Sequence, residues 1–184
     1  MEMLLLLAVA LAMDSVAVSI AIGSKYKELL LSKILVIAAV FGFFQGAMPL
    51  AGYLIGISFS GYVQAYDHWI AFVLLTGLGG KMLYEAYQDE FDEEVTDLST
   101  KTLITLAVAT SIDAMAVGVT FAFLQTDIYF ASAMIALVTF ALCFGAVTIG
   151  KKLGSLLESK AEILGGVILI GLGCKILLEH TGWL

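Results

Sequence analysis

Six long apolar runs, separated by short polar segments, take up most of the 184-residue chain. They cover roughly 3–22, 34–58, 68–87, 102–124, 128–149 and 162–178. Each approaches the ~20 residues a helix needs to cross ~30 Å of hydrocarbon. The pattern predicts six transmembrane helices. The second run carries Gly42, Gly46, Gly52 and the chain's only proline, Pro49, which in a membrane helix kinks the axis and frees a carbonyl. One segment is plainly polar: 88–97 holds six of the sixteen acids, and solvated linker charge is the default for such a run. The first run lacks a basic leader and an evident cleavage site, so it reads as a span and not as a signal peptide.

Within this pattern the chain repeats itself. Leu7-Ala-Val-Ala-Leu-Ala-Met-Asp-Ser-Val-Ala-Val18 in the first run matches Leu106-Ala-Val-Ala-Thr-Ser-Ile-Asp-Ala-Met-Ala-Val117 in the fourth, with seven of twelve positions identical. Asp14 and Asp113 fall in register. Gly77-Leu-Gly-Gly-Lys-Met-Leu-Tyr-Glu85 in the third run matches Gly171-Leu-Gly-Cys-Lys-Ile-Leu-Leu-Glu179 in the sixth at six of nine positions. Phe41, Gly46 and Ala47 match Phe140, Gly145 and Ala146 more weakly. A repeat of three spans inserts in opposite orientations, so the predicted architecture is an all-α membrane protein of two inverted three-helix repeats. It forms a single transmembrane domain over 1–184, with repeats at about 1–87 and 101–184 and an acidic loop at about 88–100.

Composition agrees with that class. The chain is 61% hydrophobic and 14% charged, with a mean hydropathy of +1.02, against about 45–50% and about 25% in soluble domains. The net charge of −7 is less informative than its placement. There is no arginine and no basic patch, which excludes nucleic acid as a partner. Of nine lysines, eight (Lys25, Lys27, Lys33, Lys81, Lys101, Lys151, Lys152 and Lys160) belong to one side of the six-span arrangement, and Lys175 lies toward the other. The positive-inside rule makes that side cytoplasmic, with both termini outside and the acidic loop within. Cys143 and Cys174 lie apart, with no CxxC spacing, and read as packing residues.

The chemistry centres on the acids. A carboxylate in a membrane helix is costly, and two at equivalent positions point to function. Each lies about halfway through its run, so pseudo-symmetry would bring them together near the midplane. Close carboxylates repel, and at neutral pH they share a proton or hold a cation. With neutral oxygens they would form a hard site suited to magnesium, calcium or manganese. The candidate neighbours are Gln45, in the glycine-rich second run, and Thr110 and Ser111, just before Asp113. Ser and Thr in membrane helices also bond their own backbone, which is the simpler role for those two. Ser15 and Ser19 stand in the same relation to Asp14. His68 and His180 read as interfacial residues. Met13, Met48 and Met115 read as packing, and so do Gly77, Gly79, Gly80, Gly165, Gly166, Gly171 and Gly173, which would allow close helix contacts. Lys81 with Glu85 and Lys175 with Glu179 read as snorkelling pairs at symmetry-related helix ends.

The segments Ala12-Met-Asp-Ser-Val-Ala-Val-Ser19, Phe41-Gly-Phe-Phe-Gln-Gly-Ala-Met-Pro-Leu-Ala-Gly52, His68-Trp-Ile-Ala-Phe72, Ala109-Thr-Ser-Ile-Asp-Ala-Met-Ala-Val-Gly118 and Lys160-Ala-Glu-Ile-Leu-Gly-Gly166 together resemble the MntP family of bacterial manganese efflux pumps. The resemblance runs the length of the chain. It implies a plasma-membrane exporter of manganese(II), related to the LysE-type exporter superfamily, with the family's two embedded aspartates at Asp14 and Asp113. Members often carry an acid shortly before the second span, where this chain has Lys33. No nucleotide-binding motif appears, so the resemblance and the residues together imply secondary transport without a cofactor. A homodimer is compatible with such a chain. Export of another divalent cation, or of a small metabolite such as an amino acid, remains the alternative. A membrane enzyme using paired aspartates fits less well, because Met13-Asp14-Ser15 and Ile112-Asp113-Ala114 lack the glycine contexts of intramembrane aspartyl proteases.

Overall fold

The computed structural model describes residues 2–63, 98–124 and 126–153, with isolated positions at 69, 72–73, 76–77, 80, 83–84, 163, 167, 170–171 and 174. Most of the third and sixth runs, the acidic segment, His68, His180 and the pairs Lys81–Glu85 and Lys175–Glu179 therefore lie outside the described residues.

All the regular structure described is helical, in five elements: α1 (Glu2–Lys25), α2 (Leu31–Val63), α3 (Thr100–Ala109), α4 (Ile112–Phe123) and α5 (Ile128–Leu153). Three are long and apolar enough to cross a membrane alone, over Glu2–Lys25, Leu31–Ser58 and Ile128–Lys152. At 1.5 Å rise per residue, the 24 residues of α1 reach about 36 Å. The fourth run does not form the one continuous helix its pattern predicts. It is built from α3 and α4, bent by 41° at Thr110-Ser111. Helix starts follow local chemistry. Ser99 caps α3 by accepting from the Thr102 N–H at 3.2 Å, and Asp127 accepts from the N–H groups of Tyr129 and Phe130 at the head of α5.

The helices pack in a chain of close pairs: α1 against α5, α5 against α2, and α2 against α4. Lipid supplies no hydrophobic drive between helices, so tight approach of backbones takes its place. A Cβ at Gly23 would collide with the Val147 carbonyl, and one at Gly150 with the Ile20 carbonyl; these seat α1 on α5. A Cβ at Gly52 would collide with the Met115 carbonyl, and one at Gly118 with the Pro49 carbonyl; these seat α2 on α4. Gly42 and Gly46 lie against Ala136 between α2 and α5. Of the glycines expected to make such contacts, Gly77, Gly80 and Gly171 have no neighbour around the Cβ position among the described residues, and Gly79, Gly165, Gly166 and Gly173 lie outside the described residues. Among the described residues, the close-packing glycines lie in α1, α2, α4 and α5. Cys143 is fully buried in α5, in the packing role expected of it, whereas Cys174, read the same way, is exposed.

These pairings converge on one interior. Leu11, Ile22, Ile37, Phe41, Ile135, Val117 and Val147 fill it with almost no exposure, and Gln45 lies among them equally buried. By contrast Leu30, Leu31, Phe43, Leu54, Tyr129 and Leu137 face outward, as lipid-facing side chains do.

Candidate metal centre

Asp14 lies in the middle of α1, half-buried. Asp113 lies in the first turn of α4 and is 7% exposed. The two acids therefore enter the interior from different local structures, although their sequence contexts match.

The cause is the pair Thr110-Ser111. In a continuous helix the Ser111 N–H would donate to the Ala107 carbonyl. Here it donates to Val108 O at 3.1 Å, while Thr110 N–H donates to Leu106 O. Ala107 O is left to side chains: Ser111 Oγ donates to it at 2.6 Å and Thr110 Oγ1 at 3.3 Å. Hydroxyls of this kind compete with the backbone ladder, which explains why the helix parts at this dipeptide. The restart places Asp113 at a helix N-terminus, where main-chain N–H groups favour negative charge. Its Oδ1 accepts from the Ala114 N–H at 2.7 Å.

Gln45 joins the two acid-bearing stretches. Its Nε2 donates to Leu11 O in α1 at 2.6 Å, and its Oε1 accepts from Ser111 Oγ at 2.8 Å. The amide orientation follows from chemistry, since a carbonyl only accepts and the NH₂ must face it. Leu11 stands three residues before Asp14, and Ser111 two before Asp113. A second link runs from Ser15 Oγ, which donates to Thr110 Oγ1 at 3.2 Å. Of the five predicted site residues, Gln45, Thr110 and Ser111 are thus brought into one hydrogen-bonded group, with Asp14 and Asp113 on the elements that flank it.

The group is rich in oxygen and short of hydrogen. Ser111 has a single hydroxyl proton facing two acceptors, Gln45 Oε1 and Ala107 O. Pro49, one turn after Gln45, has no N–H to offer the Gln45 main-chain carbonyl. A hard divalent cation takes carboxylate, amide, main-chain carbonyl and hydroxyl oxygens, and the hydrogen-bonded group holds the last three kinds. No cluster of three or more His, Cys, Asp or Glu occurs among the described residues.

Reading the sequence alone missed Ala107 and Leu11, whose contribution is a main-chain carbonyl that no side chain advertises. The signal for Ala107 was present in the Thr-Ser dipeptide that replaces Leu11-Ala12 of the first repeat.

Long apolar helices around a buried group of hydroxyl, amide and carbonyl oxygens define a multi-pass helical membrane protein with a polar interior. Comparison with known proteins narrows this. Residues 28–177 match the family described as "Putative manganese efflux pump". A protein named as an MntP manganese efflux pump in Campylobacter curvus is 51% identical over 177 residues, spanning 96% of both chains. Its counterpart in Campylobacter hominis is 50% identical over 97% of this chain and 98% of its own. One from Mannheimia succiniciproducens is 51% identical over 95% and 94%. The chain belongs to the MntP family. No solved structure matches it.

Proposed function

We propose that this chain exports manganese(II) from the cytoplasm across the plasma membrane as a secondary transporter. The ion would pass between Asp14 and Asp113, with Gln45, Ser111, Thr110 and the released Ala107 carbonyl completing its shell. One observation carries this reading above others: fully buried Gln45 holds Leu11 O with one end of its amide and Ser111 with the other. A side chain that costs this much to bury is satisfied only by the two acid-bearing stretches.

Family membership supplies the ion, since the relatives are named as manganese efflux pumps. Alternating access fits the pairing of helices. The first helix of the first half packs on α5 of the second half, and the broken span of the second half packs on α2 of the first. This exchange is what two inverted repeats would produce, and rocking of one half against the other would then open the site to each side in turn. Two neighbouring carboxylates couple cation occupancy to proton occupancy, so proton exchange is the drive we favour.

The test is manganese flux in proteoliposomes carrying wild type, Asp14→Asn or Asp113→Asn. Each Asn keeps the shape and removes the charge, and flux is expected to fall to the level of empty vesicles. Wild-type flux in the double variant would refute the site. Equal flux of magnesium and manganese would move the function to general divalent export.

A further inference from the structure

A second polar feature lies at the end of the molecule where α1 meets α2. Lys25, Tyr26, Lys27, Glu28 and Lys33 line an open cavity of about 420 Å³. Lys33 also lines a neighbouring cavity of about 210 Å³, with Ser99 and Thr100 at the start of α3. Among the described residues, three lysines line one recess together with a single acid, Glu28. Among the described residues, no hydrogen bond or ion pair engages the side-chain ammonium of any of the three lysines. Lys151 at the same end behaves differently, since its Nζ is engaged by the Leu29 carbonyl at 3.0 Å.

The surroundings of the recess are apolar. Leu30 and Leu31 are 69% and 63% exposed, and Leu35 and Val36 continue the outward face of α2. A group that satisfied the lysines alone would leave this face untouched. A phospholipid satisfies both, with its phosphate among the ammonium groups and its acyl chains along α2. Lysine stems lie on apolar surface while their heads reach polar groups, which suits this boundary. Basic pockets at the ends of membrane helices bind anionic headgroups for the same reason.

We propose that the recess formed by Lys25, Lys27 and Lys33 binds the phosphate of an anionic phospholipid whose chains lie on Leu30, Leu31, Leu35 and Val36. The site is remote from the buried oxygen cluster, and its existence does not depend on which ion is transported. A bound lipid would tie the α1–α2 turn to the start of α3, because Lys33 is common to both cavities.

The test is native mass spectrometry of the full-length chain in detergent, with phosphatidylglycerol or phosphatidylcholine added. The comparison variants are Lys25→Gln/Lys27→Gln/Lys33→Gln, and a control, Lys101→Gln/Lys152→Gln, which removes charges at the same end but outside the recess. Wild type is expected to retain phosphatidylglycerol in preference to phosphatidylcholine. Each lysine removed from the recess should weaken retention about fivefold, and the control should retain lipid as wild type does. Retention unchanged in the triple variant, or lost equally in the control, would overturn the proposal. A third arm adds inorganic phosphate: displacement of the lipid by phosphate at equal concentration would assign the recess to a free anion and overturn it also.

Discussion

The two acid-bearing stretches share seven of twelve residues, yet one forms an unbroken helix and the other breaks one turn before its acid. Asp14 sits mid-helix in α1, where the helix runs on unbroken and Leu11 O accepts from Gln45 Nε2. Asp113 sits at the head of α4, with a released carbonyl and two hydroxyls immediately before it. The difference traces to two positions. Leu11-Ala12 are good helix formers, whereas Thr110-Ser111 carry hydroxyls that take the backbone's acceptors. A repeat therefore conserves the charge and varies the backbone around it. The first half offers Leu11 O from an unbroken helix, and the second offers Ala107 O and two hydroxyls at a helix break.

The sharpest way to break this asymmetry is to give the second repeat the first one's residues. Thr110→Leu with Ser111→Ala should join α3 and α4 into a straighter helix and return Ala107 O to the ladder. Manganese export is expected to drop at least about tenfold, since misplacing a site by ~1 Å is enough for losses of that order or more. Flux and helix content measured together check it. Full export with increased helicity would show that the break is incidental.

Next in size is Gln45→Leu, which keeps the volume and deletes the bridge. It strips Leu11 O and Ser111 of a buried partner, and unsatisfied buried groups cost about 1–3 kcal/mol each. A lower thermal midpoint in detergent and a loss of flux are both expected. Gln45→Leu should harm stability more than Ser15→Ala, which removes only the Ser15–Thr110 link and should cost about 0.5–1.5 kcal/mol.

Between these lies a packing test of the helix pairs that hold the two halves together. Gly118→Ala pushes a methyl into the Pro49 carbonyl and should destabilise by about 1–3 kcal/mol. Gly77→Ala, in open space, should leave the midpoint unchanged. Equal effects at both would contradict the account of how α2 seats on α4.

Much of this was legible beforehand, for identifiable reasons. Apolar runs of spanning length announced α1, α2 and α5, because hydrocarbon thickness alone sets their extent. The repeat announced Asp14 and Asp113, since a buried acid is too costly to recur by chance. Gln45 stood out as the one side-chain amide in a glycine-rich run, and its bridge to Leu11 O and Ser111 needed the packed helices to show it. The bend in the fourth span was hidden, because Leu103, Leu106, Ala107, Ala114 and Val117 keep the apolar pattern on both sides of it. Hydropathy counts how oily a residue is and is blind to where a hydroxyl donates. The glycine contacts were hidden for a related reason. Sequence shows where backbones can approach, and only packing shows which of those places have a neighbour.

The central claim is that Asp14 and Asp113, so differently held, serve one ion. Electron paramagnetic resonance of manganese(II) titrated into the purified full-length chain tests it most directly. The account predicts a single bound ion per chain in wild type, and loss of that ion in Asp14→Asn and in Asp113→Asn alike. Retention of the bound ion in either single variant would mean that the two acids do not share it.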